Sequence, residues 1–189
     1  MSDSVPAPRR ALPAWVYCHP DMTRLEIARI LRPSWQIACH VNSVPLPGDY
    51  LAVDLGPDSL VVLRDRDGTV RAFHNICRHR GARLLDGGGR CPGPIVCPYH
   101  GWSYHTDGRL AAVPLRDTFP GLDRTQHGLA PVHVEILLGL VFVCVADVRP
   151  PSLADTWGPL LDELVPYRIE QMQPLGPIGV EDWEVDWKI

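Results

Sequence analysis

Two short runs, CRHRGARL and CPYHGWSY, each place a cysteine beside a histidine, and they constrain this chain of 189 residues more than any other feature. The first run contains Cys77-x-His79, and the second, after seventeen intervening residues, contains Cys97-x-x-His100. Thiolates and imidazoles are both good ligands for metals. The sequence therefore predicts a fold that brings two separate arms together at one metal centre.

Two kinds of centre use two cysteines and two histidines. A zinc ion holds them in one tetrahedron, usually with about two to four residues inside the cysteine pair and three to five inside the histidine pair. A [2Fe–2S] cluster with two thiolates on one iron and two imidazoles on the other takes one ligand of each type from each arm. The single residue between Cys77 and His79 favours the two-iron cluster, and a zinc-binding interaction module is the alternative.

The runs WQIACH, PGDY, FHNICRHRGARL, CPYHGWSY, DGRL and GLVFV give residues 35–145 a clear family likeness. This part of the chain resembles the Rieske domain of Rieske-type non-haem iron oxygenases, in the large (alpha) subunit of ring-hydroxylating and related enzymes. The likeness extends to the flanking runs DMTRLEIARILRPSW and DWEVDWKI. The resemblance implies that Cys77, His79, Cys97 and His100 hold a Rieske [2Fe–2S] cluster.

The expected fold class is mainly β. Apolar runs predict strands over residues 35–40, 50–55, 60–64, 70–75, 132–138 and 140–145, and Asp67-Gly68 and Asp107-Gly108 are typical of hairpin turns. Gly81 and the triplet Gly87-Gly88-Gly89 are interpreted as turns of the first arm. Helical spacing of apolar residues predicts one helix over residues 20–32, ended by Pro33, and another beginning after Ser152.

These patterns and the resemblance together predict three parts. Residues 1–33 are an N-terminal extension with a helix, residues 34–146 are a Rieske-type antiparallel β sandwich or barrel, and residues 147–189 are a linker helix followed by the start of an α+β catalytic domain. The chain stops at Lys188-Ile189 inside an element with alternating apolar residues. That ending is typical of a truncated protein.

The residues around the ligands also allow a comparison with respiratory-chain Rieske proteins. By resemblance, Ala82 and Tyr99 stand where those proteins have disulfide-forming cysteines, and Trp102 stands where they have a serine that donates to a cluster sulfur. Those proteins also have a tyrosine two positions later, and by resemblance Tyr104 is its counterpart. Fewer donors to the sulfurs predict a reduction potential at the low end of the Rieske range. Arg80 is predicted to lie next to the cluster or a neighbouring subunit.

An oxygenase also needs a mononuclear iron held by two histidines and one carboxylate. Asp123, His127 and His133 offer these groups, but they precede the run GLVFV, whereas by resemblance the family's triad follows the equivalent of Trp187. We therefore expect the mononuclear iron only in the full-length protein and assign no catalytic residue in this chain. The interpretation is an electron-transfer portion of an oxygenase, and the alternative is a stand-alone Rieske ferredoxin, which needs only about a hundred residues.

Partners follow from the resemblance and from composition. An external ferredoxin or an NAD(P)H-dependent flavoprotein reductase would supply electrons, and the full-length protein would form a homotrimer or a hetero-hexamer with a beta subunit. A formal charge of −4 without a basic block argues against nucleic acid. The longest apolar run, residues 136–146, is too short for a membrane helix, and no secretory signal precedes it, so we expect a cytoplasmic protein.

Overall fold

The structure is a computed structural model, and it describes residues 11–173 and 183–188. The strands are β1 (Gln36–His40), β2 (Asp49–Leu55), β3 (Asp58–Arg64), β4 (Val70–His74), β5 (Gly88–Arg90), β6 (Ile95–Val96), β7 (Ser103–Tyr104), β8 (Leu110–Ala112), β9 (Pro131–Leu137) and β10 (Leu140–Cys144). The helices are α1 (Trp15–Cys18), α2 (Pro20–Glu26), a π-helical turn (Ile27–Leu31) and α3 (Leu153–Leu164). Short 3-10 turns occupy Val41–Ser43, Arg116–Thr118, Arg124–Gln126, Val165–Tyr167 and Ile169–Gln171.

Two antiparallel sheets form the body of the molecule. The larger sheet has seven strands in the order β1-β10-β9-β4-β3-β2-β5, and the smaller has the three strands β6-β7-β8. The mainly β, antiparallel fold class predicted from the sequence is confirmed. The glycine triplet was interpreted wrongly in part, because Gly88 and Gly89 belong to β5, which pairs with β2. Parts of the predicted terminal regions, residues 1–10, 174–182 and 189, lie outside the described residues.

Strand β3 separates two hydrophobic cores. Leu60 and Val62 point into one core, whereas Val61 and Leu63 point into the other, and all four side chains are almost completely buried. Successive side chains of a strand face opposite sides, so a strand covered on both faces must be apolar throughout. The core on the side of the smaller sheet, called here the ligand-side core, consists of Val61, Leu63, Phe73, Cys77, Leu84, Ile95, Cys97, Trp102, Tyr104, Leu110 and Leu129.

The predicted hairpin turns are present where their sequences indicated. Gly68 and Gly108 have positive φ angles of 86° and 89°, conformations that glycine adopts without steric cost. A third turn joins β9 to β10 through Leu138 (φ 50°) and Gly139 (φ 78°). Paired positive angles of this kind suit the twist of a two-residue β hairpin.

The N-terminal helix ends differently from the regular helix that the sequence predicted. Its last turn is π-helical, and the N–H of Arg32 bonds to the carbonyl of Ile27 at 2.9 Å. Near the start of this turn the carboxylate of Glu26 is buried and pairs with Lys188 Nζ at 2.8 Å, while Trp187 Nε1 donates to it at 3.0 Å. A buried charge is tolerated only when it is paired. Residues 183–188 are thus fastened to the N-terminal helix.

The segment after β10 packs back on the large sheet. Ser152 caps α3 by accepting a hydrogen bond from the N–H of Asp155 at 3.1 Å, as the sequence predicted, and Trp157 lies edge-on to Phe142 at 5.7 Å between ring centroids. Within the part of the chain described above, no helix is long and apolar enough to cross a lipid bilayer.

The 3-10 turns that follow α3 are held by His40 at the end of β1. Its Nδ1 accepts a hydrogen bond from the N–H of Asn42 at 3.1 Å, which leaves Nε2 as the protonated nitrogen that donates to the carbonyl of Ile169 at 3.0 Å. The side chain of Asn42 donates to the carbonyl of Met172 at 2.8 Å. The bonds to Ile169 and Met172 each join residues more than a hundred positions apart.

Asp65 links the turns of the two sheets. Burial alone would raise the pKa of its carboxyl, but hydrogen bonds from the hydroxyl of Thr106, the N–H of Arg66 and the guanidinium of Arg71 hold this pKa below its usual value. Thr106 belongs to the β7–β8 turn and Asp65 to the β3–β4 turn. The interaction therefore fixes the smaller sheet, and the second ligand arm that leads into it, against the larger one.

Replacing Asp65 by Asn should destabilise the protein by about 1–3 kcal/mol at pH 7, because the buried partners lose a charged acceptor. The folded-state pKa is depressed, so this contribution is complete above the unfolded value of about 3.9 and is lost only as the pH falls below it. Urea unfolding should give the same difference between wild type and variant at pH 7 and pH 5. The exposed Asp67, replaced by Asn as a control, should have a smaller effect, and equal effects at the two positions would contradict this role.

Candidate functional site

The first ligand arm, residues 77–82, follows β4 and closes on its own cysteine. The N–H of Cys77 donates to the carbonyl of Ala82 at 2.8 Å, and the N–H of Gly81 donates to the carbonyl of Cys77 at 2.9 Å. Gly81 has φ of 71°, a conformation that L side chains rarely adopt. The loop is therefore a compact turn that carries His79 at its tip.

The second ligand arm, residues 97–102, connects β6 to β7 and repeats this geometry. The N–H of Cys97 donates to the carbonyl of Trp102 at 2.7 Å, and the N–H of Gly101 donates to the carbonyl of Cys97 at 3.1 Å. Gly101 has φ of 69°. The two arms are therefore the same type of loop, although the histidine is the third residue in one arm and the fourth in the other.

The two thiols lie together inside the ligand-side core. Cys77 is 2% exposed and Cys97 is 3% exposed, and both are free cysteines. Burial raises the pKa of the Cys77 thiol, and the adjacent Cys97 side chain raises it further, while a hydrogen bond with Tyr104 opposes the rise. Thiolates in this position need a positive partner, which a bound metal supplies.

Tyr104 is the polar neighbour of this thiol pair. Its buried hydroxyl lies 3.2 Å from Cys77 Sγ and accepts a hydrogen bond from the N–H of Arg78 at 3.0 Å. Because the Arg78 amide can only donate, the hydroxyl proton of Tyr104 is available for the sulfur. Burial, followed by the neighbouring thiol, raises the pKa of this phenol, so it remains a donor at neutral pH.

The two imidazoles are more exposed than the two thiols. His79 and His100 have ring centroids 4.9 Å apart, and His79 is half-buried whereas His100 is exposed. Burial lowers the pKa of His79, followed by the proximity of His100 and then of Arg80. The neutral form of histidine is the form that binds metals. Arg80 itself is exposed and has no ion-pair partner among the residues that the structure describes.

Aromatic rings enclose the inner imidazole. Trp102 stacks on His79 with centroids 4.9 Å apart and an interplanar angle of 6°, and Phe119 meets both rings edge-on. Trp102 is only 3% exposed. Sequence reasoning missed Phe119, because its approach depends on the fold of the loop after β8 and no local pattern signals it.

The donor set fits a two-iron cluster better than a single ion. The four side chains divide into an inner pair of thiols and an outer pair of imidazoles, with one of each from each arm. Zinc would require all four donors around one point. A Rieske cluster requires two thiolates on one iron and two imidazoles on the other.

Residues 34–130 match the sequence model of the family described as Rieske [2Fe-2S] domain, a range that includes both arms. The chain belongs to this family. Strands β9 and β10 lie beyond the matched residues but complete the same sheet, where β10 pairs with β1 and β9 pairs with β4. The sheet that contains the matched strands therefore continues past residue 130.

Two curated proteins that are similar to this chain are oxygenase components. The glycine betaine monooxygenase oxygenase subunit of Chromohalobacter salexigens is 35% identical over 95% of this chain and 40% of its own length. The large oxygenase component of the naphthalene 1,2-dioxygenase system of Pseudomonas aeruginosa is 34% identical over 89% of this chain and 38% of its own. The chain thus spans about two fifths of these relatives, and the likeness includes the segments that flank the Rieske domain.

A solved structure of a Rieske oxygenase is also similar to this chain. The apo form of the quaternary ammonium Rieske monooxygenase CntA superposes with a TM-score of 0.79 at 28% identity, covering 85% of this chain and 47% of that one. The similarity to oxygenase subunits over the flanks of the Rieske domain favours the oxygenase interpretation over a stand-alone ferredoxin. The predicted family and fold are both confirmed.

The three residues considered for a mononuclear iron have other surroundings. The carboxylate of Asp123 accepts hydrogen bonds from the N–H and hydroxyl of Thr125, which also lower its pKa, and so it caps a 3-10 turn. His127 Nδ1 lies 2.7 Å from the backbone carbonyl of Asp123, and the His127 ring is 6.2 Å from Trp102. His133 lies in β9. Asp123 and His127 thus belong to the loop that packs beside the second arm.

Proposed function

We propose that this chain is the electron-transfer portion of a Rieske oxygenase alpha subunit, with a cluster held by Cys77, His79, Cys97 and His100. The observation that supports the proposal most is the convergence of two equivalent loops, which brings two buried thiols together and places the two imidazole rings 4.9 Å apart. Bound there, a Rieske cluster supplies reversible one-electron transfer. Residues of this chain would hold the cluster, shield it from water and adjust its reduction potential.

The surrounding residues have distinct roles in this proposal. Trp102 and Phe119 keep water away from the His79 ring, while Tyr104 directs its hydroxyl toward the sulfur of Cys77. The proposed Cys77 and Cys97 thiolates are kept from solvent by the ligand-side core. Burial and hydrogen bonding around sulfur ligands are the main means by which a protein adjusts such a centre.

Electron exchange would occur at the exposed imidazole. His100 is the more exposed of the two proposed imidazole ligands, since His79 is half-buried. We propose a ferredoxin or an NAD(P)H-dependent flavoprotein reductase as donor, and a mononuclear iron outside these 189 residues as acceptor. A homotrimer, or a hetero-hexamer with a beta subunit, would let His100 meet the acceptor in a neighbouring subunit. The division into residues 1–33, 34–146 and 147–189 is likewise part of the proposal.

Anaerobic reconstitution with iron and sulfide tests the proposal. We expect two irons and two sulfides per chain, a rhombic EPR signal after one-electron reduction, and a potential near the −150 mV end of the Rieske range. The low potential follows from Trp102, which has no hydroxyl to donate to a sulfur. A colourless folded protein with stoichiometric zinc would refute the proposal. A potential hundreds of millivolts higher would instead indicate a respiratory type of centre.

Replacing Tyr104 by Phe should lower the reduction potential while the cluster stays bound. The reduced cluster carries more negative charge, so it gains more from the phenol hydroxyl than the oxidised cluster does. A difference of about 1 kcal/mol corresponds to roughly 40 mV for a one-electron couple. Redox titration followed by EPR measures the shift. Tyr50 replaced by Phe is a matched control that should leave the potential unchanged, and an unchanged Tyr104 variant would show that the hydroxyl does not serve the sulfur.

A further inference from the structure

Asn75, the residue after β4, is a polar side chain that is completely buried. Its carboxamide pairs with the backbone of Leu85, and its Nδ2 also lies 3.4 Å from the hydroxyl oxygen of Ser59. The N–H of Leu85 donates to Asn75 Oδ1 at 3.0 Å, and Asn75 Nδ2 donates to the carbonyl of Leu85 at 2.7 Å. A side-chain amide here forms the two hydrogen bonds that a strand residue forms with its partner.

The backbone of Asn75 joins the large sheet to the first arm. Its N–H donates to the carbonyl of Ser59 in β3 at 2.8 Å, and its carbonyl accepts from the N–H of Leu84 at 3.3 Å. Between these bonds and the loop, Ile76 forms an isolated β-bridge with Arg83. The base of the first arm is therefore a short antiparallel ladder. The hydrogen bonds between the Asn75 carboxamide and Leu85 form the pair of this ladder that lies farthest from the loop.

The second arm obtains the same support from ordinary strand pairing. Below that loop, β6 and β7 pair through Val96 with Ser103 and Ile95 with Tyr104. The two ligand loops are alike, so their bases must be held to a similar degree for the four donors to keep their relative positions. In the first arm, the side chain of Asn75 provides hydrogen bonds that backbone groups provide in the β6–β7 ladder.

We propose that Asn75 is a positioning residue of the metal centre and fixes Cys77 and His79 relative to the second arm. This inference rests on the proposed function. It predicts that loss of the carboxamide affects the first arm without removing any ligand. The N–H of Leu85 would lose its acceptor, whereas its carbonyl would keep the guanidinium of Arg83 at 3.2 Å. A buried amide without an acceptor favours opening of the arm.

The test uses Asn75→Leu, which keeps the approximate size of the side chain and removes its hydrogen bonds to Leu85 and Ser59. We expect iron to be released to a chelator about ten- to a hundredfold faster than from wild type, in line with the loss of metal affinity that is typical when a residue that supports metal ligands is removed. The EPR g-values of the reduced protein should also shift, because the imidazole and thiolate of the first arm change orientation. A purely structural role elsewhere in the fold would lower the melting temperature and leave the g-values in place.

Asn42→Leu is the matched control, since the side chain of Asn42 also bonds to a distant backbone carbonyl but lies away from both arms. It should keep wild-type iron release and g-values. If Asn75→Leu does not fold, hydrogen exchange on the unmodified protein decides. The amide of Leu85 should be as protected as the amides of the β6–β7 ladder, and exchange at the rate of an exposed loop would overturn the inference.

The wild-type protein tests the proposed function, and the Asn75→Leu variant tests the positioning role of Asn75. Wild-type protein without a two-iron cluster would end the proposed function. Wild-type protein with the cluster, together with an Asn75→Leu variant that releases iron at the wild-type rate with unchanged g-values, would refute the positioning role alone.

Discussion

Replacement of Cys97 by Ala should abolish the iron–sulfur chromophore. Cys97 is one of two thiols at the centre of the ligand-side core, and the other three proposed ligands cannot complete the cluster without it. Iron content should fall from two per chain to none, with loss of the visible absorbance and the EPR signal. Unfolding should also occur at lower denaturant concentration, since the free energy of cluster binding contributes to stability.

Cys39 is the control for this experiment. It is also buried, at 8% exposure, but it lies in the other core, and burial raises the pKa of its thiol to about 11, so it remains neutral. Cys39→Ala should keep both irons and the full absorbance. Retention of two irons by Cys97→Ala, or their loss from Cys39→Ala, would show that the ligands are assigned to the wrong cysteines.

Replacement of Gly139 by Ala should destabilise the fold by about 2–4 kcal/mol, the sum of a strained backbone and a steric clash. Gly139 has φ of 78°, and a Cβ atom there would lie 2.6 Å from Glu170 Cα and 2.6 Å from His40 Nε2. The first of these atoms is backbone, so relief requires the segment after α3 to move off the sheet. Urea unfolding gives the stability, and hydrogen exchange of residues 165–172 reports the detachment.

Gly68→Ala separates the two contributions. Gly68 has a similar φ of 86°, but a Cβ atom there would meet nothing within 4 Å. Its variant should lose only the cost of backbone strain, about 1–2 kcal/mol. Equal losses at the two glycines would mean that the segment after α3 is not docked on the β9–β10 turn in solution.

Local signals explain which parts of the fold the sequence predicted. The apolar run of β3 and the Asp67-Gly68 turn act over a few residues, and both were located correctly. Strand β5 was missed because glycines have no side chain to show a pattern. Its pairing with β2 is non-local, and Gly89 suits it because a Cβ atom there would lie 3.0 Å from the Tyr50 hydroxyl. The π-helical turn after Glu26 likewise has no signal in the spacing of apolar residues.

The candidate site likewise has features that local sequence predicts and features that depend on packing. The four proposed ligands were predicted from their spacing together with the family resemblance, since a cluster shared between two arms needs a cysteine and a histidine in each. The stacking of Trp102 on His79, the edge-on approach of Phe119 and the support from Asn75 all depend on how the arms pack. Asn75 did carry a weak signal, as an amide residue directly after an apolar strand and two positions before a ligand.

The self-closing geometry of the two arms has a consequence for protein engineering. Each arm is a six-residue turn whose shape depends on a glycine and on hydrogen bonds to its own cysteine. Such a turn can be transplanted onto another β hairpin, because the hydrogen bonds that close it lie within the arm. What a recipient scaffold must supply is the separation of the two hairpins, an aromatic cover and a support at the base of each loop. Grafting the turns without that support should give a peptide that binds iron loosely, and adding it should tighten binding stepwise.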